Sequence, residues 1–325
     1  MSFTPSPFVV SAMTVFGSLG EAHNLERLYE VGSFIPYWWI GEGILMLDIS
    51  KGHSKSAKAD QFPQKRKGLH KGDILHSASK KKAPFCNQST LVFRLHIGPE
   101  PHAFKEINIK LFKDENGGFQ MTGVTTEEMA RKAIERLIDL NDGKGIWSKR
   151  PSIQRFQICM INSNYSIGKT IRRDRLYAIL VHTYGLRCSF EPTIYQGVNT
   201  KFFWNKTTQG VPNLPPGICT CPEQCIGKGN GYSVGNCKQI TISPFRTGSI
   251  IITGAQHLEQ IEDAYKFLNS VFREHESDLL RPLQPQTNTK TKAKNTAATT
   301  TTEIIRHKMR TCPKNTFVGL QPQQT

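Results

Sequence analysis

The stretch PFRTGSIIITGA, residues 244–255, reads as an apolar strand that closes on Thr-Gly-Ala and runs straight into an amphipathic segment, QHLEQIEDAYKFLNSVF. The stretch LFKDENGGFQMTGV, residues 111–124, has the same form. Phe112, Thr122 and Gly123 stand where Phe245, Thr253 and Gly254 stand, and TTEEMARKAIERLIDL follows. Similarity at such a separation marks an internal duplication, which constrains the fold more than any single element does. Two more matches lie in the same order. Arg-Leu-Tyr occurs at 27–29 and 175–177, and the pattern Phe-x-Pro-x-x-aromatic-x-Gly at 34–41 (FIPYWWIG) and 190–197 (FEPTIYQG).

Each half therefore reads strand, helix, several strands and a closing helix. The segments VVSAMTV, ILMLDI, INIKLF, FQICMI, KFFW, QITI and SIIITG carry the β-branched and aromatic residues that suit strands. In the closing helices apolar residues recur at three- and four-residue spacing: Met129, Ala133 and Leu137, then Ile261, Ala264, Tyr265 and Leu268. The fold expected is α+β, an antiparallel sheet with helices on one face. No helix is left for the other face, and a bare, partly apolar sheet face is a binding surface. The halves are expected at 1–150 and 151–280, with a tail at 281–325.

The 325 residues carry a formal net charge of +16. Residues 51–82 hold ten Lys or Arg against two acids, and residues 281–325 hold eight against one, so these two segments supply +15 of the total. Both are poor in large apolar residues and are expected to be mobile, the first as part of a basic insertion at about 51–100. They suit non-specific contact with nucleic-acid phosphates or simple solubilisation. No apolar run approaches the roughly 20 residues that span a bilayer, so no membrane partner is expected. The opening MSFTPSPFVVSAMTVFG lacks a basic n-region and reads as a strand, not a signal peptide. Eight cysteines without a secretory signal suggest an intracellular, reducing setting.

Cys219, Cys221, Cys225 and Cys237 form C-x-C-x3-C-x11-C in a Gly- and Pro-dense insertion at about 206–238. Four thiolates in a segment too polar to make its own core suit a structural Zn²⁺, with free thiols and a redox disulfide as the alternatives. Cys86, Cys159, Cys188 and Cys312 are scattered. The segment FQICMINSNYSIGKT, residues 156–170, places strand, loop, Gly-Lys-Thr and helix in the order of a phosphate-binding loop. Ser163, however, stands where such a loop needs glycine for close backbone approach, and in the duplication this segment matches the first strand of the other half. No nucleophile–base or paired-carboxylate constellation stands out, so an enzyme is not expected.

The doubled half, the order of elements and the phrase Phe-x-x-Gly-x-Ile-Ile-Ile-Thr-Gly-Ala before a helix resemble the TATA-box-binding protein family. The large insertions resemble those of its divergent members in large DNA viruses. The resemblance covers roughly residues 8–50, 104–141 and 153–276. It implies a pseudo-two-fold saddle: a curved antiparallel sheet, helices on the convex face, and here basic and Cys-rich insertions. It also implies a non-enzymatic transcription initiation factor that lies in the minor groove and bends DNA, by about 80° in the family, a value these residues do not themselves yield. The partners implied are A·T-rich promoter duplex, general transcription factors and RNA polymerase. The setting implied is a host nucleus or a cytoplasmic viral factory, with packaging in the virion as a further option. No cofactor is required beyond the Zn²⁺ the cysteines could hold.

Carried over by motif, Phe112 and Phe245 match one member of each aromatic pair that wedges between base steps, and Trp39 and Tyr195 the other. Thr122 and Thr253 match groove-contacting threonines. Gln120 and Ile251 stand where the family has valine, and Val10 matches another floor position with Asn162 as its counterpart. The family's central asparagines fall on Phe8 and Met160, with Asn162 and Asn164 placed to take over. The lysine after the tight-turn glycine is replaced by Gly118 and Ser249. Fewer core phosphate contacts leave a general A·T or deformability preference, not strict TATA reading, as the expectation. A saddle that scaffolds other proteins without useful DNA affinity is the alternative reading, and a nucleotide-binding protein the remote one.

Overall fold

Two strands at the centre join the halves. In a computed structural model, which describes residues 3–49, 65–75, 88–208, 211, 214–221 and 225–283, β1 (Val9–Ser18) pairs antiparallel with β7 (Arg155–Ser166). Met13 lies opposite Ile161, with Ala12 opposite Asn162 and Thr14 opposite Met160 on either side. Cys86, Cys312, the tail beyond 283 and most of the basic insertion lie outside the described residues.

After β1 come α1 (Leu25–Val31), β2 (Gly43–Ile49), β3 (Lys65–Gly68), α2 (Lys71–Leu75), β4 (Gln88–His96), β5 (Phe104–Phe112), β6 (Gly118–Val124) and α3 (Glu127–Asp139). After β7 come β8 (Thr170–Ile171), α4 (Arg173–His182), β9 (Arg187–Glu191), β10 (Tyr195–Trp204), β11 (Lys238–Pro244), β12 (Ser249–Ala255), α5 (Leu258–Glu274), α6 (Glu276–Leu279) and β13 (Leu280–Arg281). One eleven-stranded sheet runs β3-β2-β4-β5-β6-β1-β7-β12-β11-β10-β9. It is an antiparallel saddle with a pseudo-two-fold axis between Met13 and Ile161. The axis relates β1, α1, β2, β4, β5, β6 and α3 to β7, α4, β9, β10, β11, β12 and α5. β3 and α2 belong to the basic insertion and have no counterpart. That insertion ends earlier than expected, because Gln88–His96 forms β4, a strand every half-saddle needs.

Alternate residues explain the layering, since successive strand side chains face opposite ways. Val15, Ile107, Ile109 and Met121, then Ile240, Ile242, Ile250 and Ile252, are fully buried on one face beneath Ala133 and Leu137 of α3 and Ala264 and Leu268 of α5. Thr126 caps α3 by accepting from the Met129 N–H at 3.1 Å. Phe8 packs edge-on against Tyr265 of the opposite half, and Arg131 of α3 lies 4.1 Å over the ring of Phe156, so each central strand is held by the other half's helix.

The sheet contains matched bulges. Between β1 and β7 the register skips Ser11 on one strand and Cys159 on the other. Gly123 and Gly254 are each the extra residue against the central strand, and both adopt φ of +92°. Glycine tolerates that conformation where other residues do not, so the paired Thr-Gly motifs mark bulges. The Arg-Leu-Tyr repeats fall at matching places on α1 and α4. The match between FIPYWWIG and FEPTIYQG does not survive: Phe190 lies within β9, whereas Phe34 precedes β2 and only bridges to Ile44. The Gly-Lys-Thr segment is a turn. Lys169 pairs with Glu276 at 2.7 Å, Thr170 enters β8 and the helix starts only at Arg173, so the phosphate-loop geometry is not formed.

Gly254→Ala is expected to lower stability by about 1 kcal/mol or more, because alanine cannot take this φ without strain. A urea midpoint equal to that of the parent chain would remove the bulge account of the motif.

Candidate nucleic-acid interface

Residues directly paired across neighbouring strands share a face. On the face away from the helices one row runs Arg187, Lys201, Thr241, Thr253, Asn162 and Ala12 from the β9 edge to the centre. Its pseudo-symmetric counterpart runs Met46, Val92, Asn108, Thr122, Thr14 and Met160. The expected floor residues Thr122 and Thr253 hold equivalent places in the two rows. Ile251 and Gln120 lie on the same face: Ile251 between Asn164 and Ser243, Gln120 between Phe16 and Lys110.

Three floor assignments change. The bulge at Ser11 reverses the strand's parity, so Val10 pairs with buried Ser163 and packs on the helix-side core. Val9, 62% exposed, takes the floor. The counterpart of Asn162 is Thr14, because both pair with the threonine of the Thr-Gly motif. The counterpart of Met160 is likewise Ala12 and not Phe8, which packs on Tyr265. Around the axis each cross-strand pair joins one polar and one apolar residue, Asn162 with Ala12 and Thr14 with Met160. Sequence reasoning missed Thr14, Val9 and the exposed Phe16, all hidden by a parity that only the bulges set.

At the outer end of the second half, Tyr195 and Phe245 meet edge-on with ring centroids 5.7 Å apart. Gly197 permits this contact. A Cβ there would stand 2.9 Å from Tyr195 Cε1 and 3.1 Å from Phe245 Cζ. Phe112 closes β5 at the matching place in the first half, opposite Gln88. Trp39 is not beside it. The guanidinium of Arg94 donates to the Trp39 carbonyl at 2.6 Å, and Arg94 pairs with Glu106 near the other end of β5. Six residues of strand, about 20 Å, separate the two places. The position matching Tyr195 is residue 86, outside the described residues.

The segment that carries Trp39 folds over the floor. Ile35 and Tyr37 pack on a small second core of Leu45, Met46 and Val92, and Arg94 also donates to the Tyr37 carbonyl at 2.8 Å. The backbone N–H of Lys71, opening α2, donates to Glu106 at 3.3 Å beside them. Burial, with Glu106 nearby, pushes the Tyr37 hydroxyl up. At the equivalent place in the second half the Cys-rich loop meets the sheet instead: the Phe203 N–H donates to the Gly217 carbonyl at 2.9 Å and the Gln239 N–H to the Gly227 carbonyl at 2.8 Å.

The four cysteines of the β10–β11 loop converge, with all Sγ atoms within 4.8 Å of one another. Cys219 lies 3.3 Å from Cys225 and Cys221 3.4 Å from Cys237. A tetrahedral four-thiolate site with metal–sulfur bonds of about 2.3 Å needs sulfur–sulfur edges of about 3.8 Å, so the donor set fits a metal with small adjustments. Asn205 Nδ2 donates to Cys237 Sγ at 3.7 Å, the kind of outer contact that orients a ligand. Burial opposes the Cys219 thiolate, but N–H groups of Cys221 and Cys225 and the neighbouring thiols outweigh it and bring the thiol to about 6. Burial and the thiols of Cys237, Cys219 and Cys225 push Cys221 up to about 12. Four thiols this close crowd around shared protons, which a cation would displace. The loop also grips the convex side. Gln260 of α5 donates to the Asn230 carbonyl at 2.8 Å, and Tyr232 and Lys206 both reach Glu259.

Over 219 residues the chain is 31% identical to a TATA-box-binding protein-like protein of Acanthamoeba polyphaga mimivirus, covering 62% of this chain and 51% of that protein. The resemblance to the TATA-box-binding protein family holds. The chain spans about half the length of that relative. Among solved structures, Methanococcus jannaschii TBP aligns at 16% identity and a TM-score of 0.43, over 83% of this chain and 99% of that one. No protein-family model matches the chain. Among the described residues, no helix is long and apolar enough to cross a membrane.

Native mass spectrometry is expected to show one tightly held metal ion per chain. A chelator, or Cys237→Ser, is expected to remove it and to lower the melting temperature. A metal-free mass for freshly purified, reduced protein would leave the cluster as plain thiols.

Proposed function

We propose that this chain is a DNA-binding transcription initiation factor whose concave sheet lies in the minor groove and bends the duplex. The observation that carries the reading is the floor on the face opposite α3 and α5: doubled rows of hydroxyl, amide and aliphatic side chains, ending at the Tyr195–Phe245 pair. Thr14, Thr122, Thr241 and Thr253 offer hydroxyl donors to the acceptors of A·T edges, and their methyls dry the contact. Asn162 adds an amide at the centre. Tyr195 and Phe245 are placed to enter a base step, and Phe112 to do so in the other half, at an unstacking cost of roughly a few kcal/mol per step that wrapped contacts offset. The cysteine cluster holds a structural Zn²⁺, which fixes the β10–β11 loop at the rim. The basic arms add sequence-independent phosphate contacts, and the convex helices receive other initiation factors and polymerase.

Anisotropy titrations at several salt concentrations are expected to show tighter binding to A·T-rich than to G·C-rich duplex. Equal affinity for both, with no bending, would favour the alternative of a protein-interaction scaffold. Phe245→Ala is expected to reduce the bend, read by energy transfer between labelled duplex ends, while the circular dichroism spectrum stays that of the parent. An unchanged bend would remove Phe245 from the wedge.

A further inference from the structure

Where β8, the β11–β12 turn and β13 meet, the molecule has a cavity of about 1040 Å³ lined by none of the floor-row residues. Four arginines line it: Arg172 and Arg173 at the start of α4, Arg246 in the turn and Arg281 in β13. They come from three segments distant in sequence that backbone bonds tie together. The Ile171 N–H donates to the Arg246 carbonyl and the Arg172 N–H to the Leu279 carbonyl, each at 2.9 Å, and Arg281 pairs with Thr170 across β8 and β13. Arg172 faces Asp278 at 3.3 Å, Arg173 donates to the Gln196 carbonyl, and Arg281 donates to the Ser277 carbonyl at 2.7 Å. A carbonyl orients a guanidinium without neutralising it, and each guanidinium has five N–H donors. Among the described residues the Arg246 side chain makes no ion pair or hydrogen bond. Four guanidiniums against two carboxylates, Asp174 and Asp278, leave a net charge of +2 around one space.

We propose that this cavity binds a free oligophosphate, either inorganic triphosphate or the triphosphate of a nucleotide. The observation that carries it is the convergence of arginines on one space with too few carboxylates to match their charge. A planar guanidinium meets phosphate oxygens through paired N–H donors, and all four cations here are of that kind. Thr170 and Thr247 add hydroxyl donors at the wall. The volume is that of a small-ligand site, typically about 300–1000 Å³, and a duplex does not fit inside it. Phe190 and the exposed Leu283 supply an apolar wall against which a base can lie. The Gly-Lys-Thr turn contributes only Thr170, because Lys169 is paired with Glu276. The proposal stands whether or not the floor binds DNA.

Isothermal titration of the full chain with inorganic triphosphate and with ATP, at physiological ionic strength and without DNA, tests this. Each is expected to bind at one site per chain, and AMP about tenfold more weakly or worse, for want of charge-assisted contacts. Tighter binding of ATP than of triphosphate assigns the apolar wall to the base, and equal binding assigns the site to phosphate alone. Arg246→Ala is expected to weaken both ligands about tenfold, the loss of one hydrogen bond to a charged group. That side chain holds nothing else among the described residues, so the melting temperature without ligand is expected to stay that of the parent. Unchanged affinity in Arg246→Ala places the anions on the basic segment 51–82 and overturns the site. An octaglutamate peptide that binds as tightly as triphosphate overturns the ligand class in favour of an acidic protein segment. Absence of binding by both phosphates overturns the proposal outright.

Discussion

The antiparallel pairing of β1 with β7 sets what every other strand can do. It places Met13 and Ile161 face to face on the pseudo-two-fold axis and so fixes which residues of two half-sheets look toward the helices. A sheet's parity propagates, since a slip of one residue turns a whole strand over. The matched bulges at Ser11 and Cys159 use that fact locally. Beyond them Phe8, Val10, Phe156 and Ile158 turn to the core side, while Ala12, Thr14, Met160 and Asn162 stay on the floor. A second pair of bulges, at Gly123 and Gly254, keeps each Thr-Gly strand in step with the centre. The floor's chemistry is thus decided by four irregular residues.

How much of this was legible follows from the same reasoning. The Thr-Gly motifs, the Arg-Leu-Tyr pairs and the amphipathic closing helices could be read because each reports a local requirement: a φ only glycine tolerates, a helix face, a core stripe. The cysteine cluster could be read because three of its four cysteines are close in sequence. Val10 and Phe8 were misplaced because parity across a bulge is a property of two strands together. Trp39 was misplaced because FIPYWWIG imitates FEPTIYQG in letters while folding on the other side of a strand boundary. Arg187 and Lys201 drew no notice, since single cations on short strands carry no pattern. They gain meaning only from the cross-strand row that joins them to Thr241 and Thr253.

Closure of the first half is a stable feature of the fold. Leu45, Met46 and Val92 are almost wholly removed from water, and burying side chains of this size is worth roughly 1.5–3 kcal/mol each relative to exposure. Arg94, itself 8% exposed, spends its guanidinium on the Tyr37 and Trp39 carbonyls. Lifting the segment to admit a ligand would expose the apolar residues and strand a buried cation's hydrogen bonds at once. The fold itself therefore favours the closed arrangement.

The distribution of charge makes that asymmetry consequential. Residues 51–82 and 281–325 supply +15 of the formal +16, so the rest of the chain is close to neutral. In a strongly basic saddle two cations at one rim would be lost among many. In a near-neutral one they define the local field that a phosphate backbone meets, over distances within a Debye length of about 8 Å at physiological salt. On the proposed reading, the two charged segments would draw a duplex in without regard to orientation, and Arg187 and Lys201 would meet it only once the groove lies on the sheet.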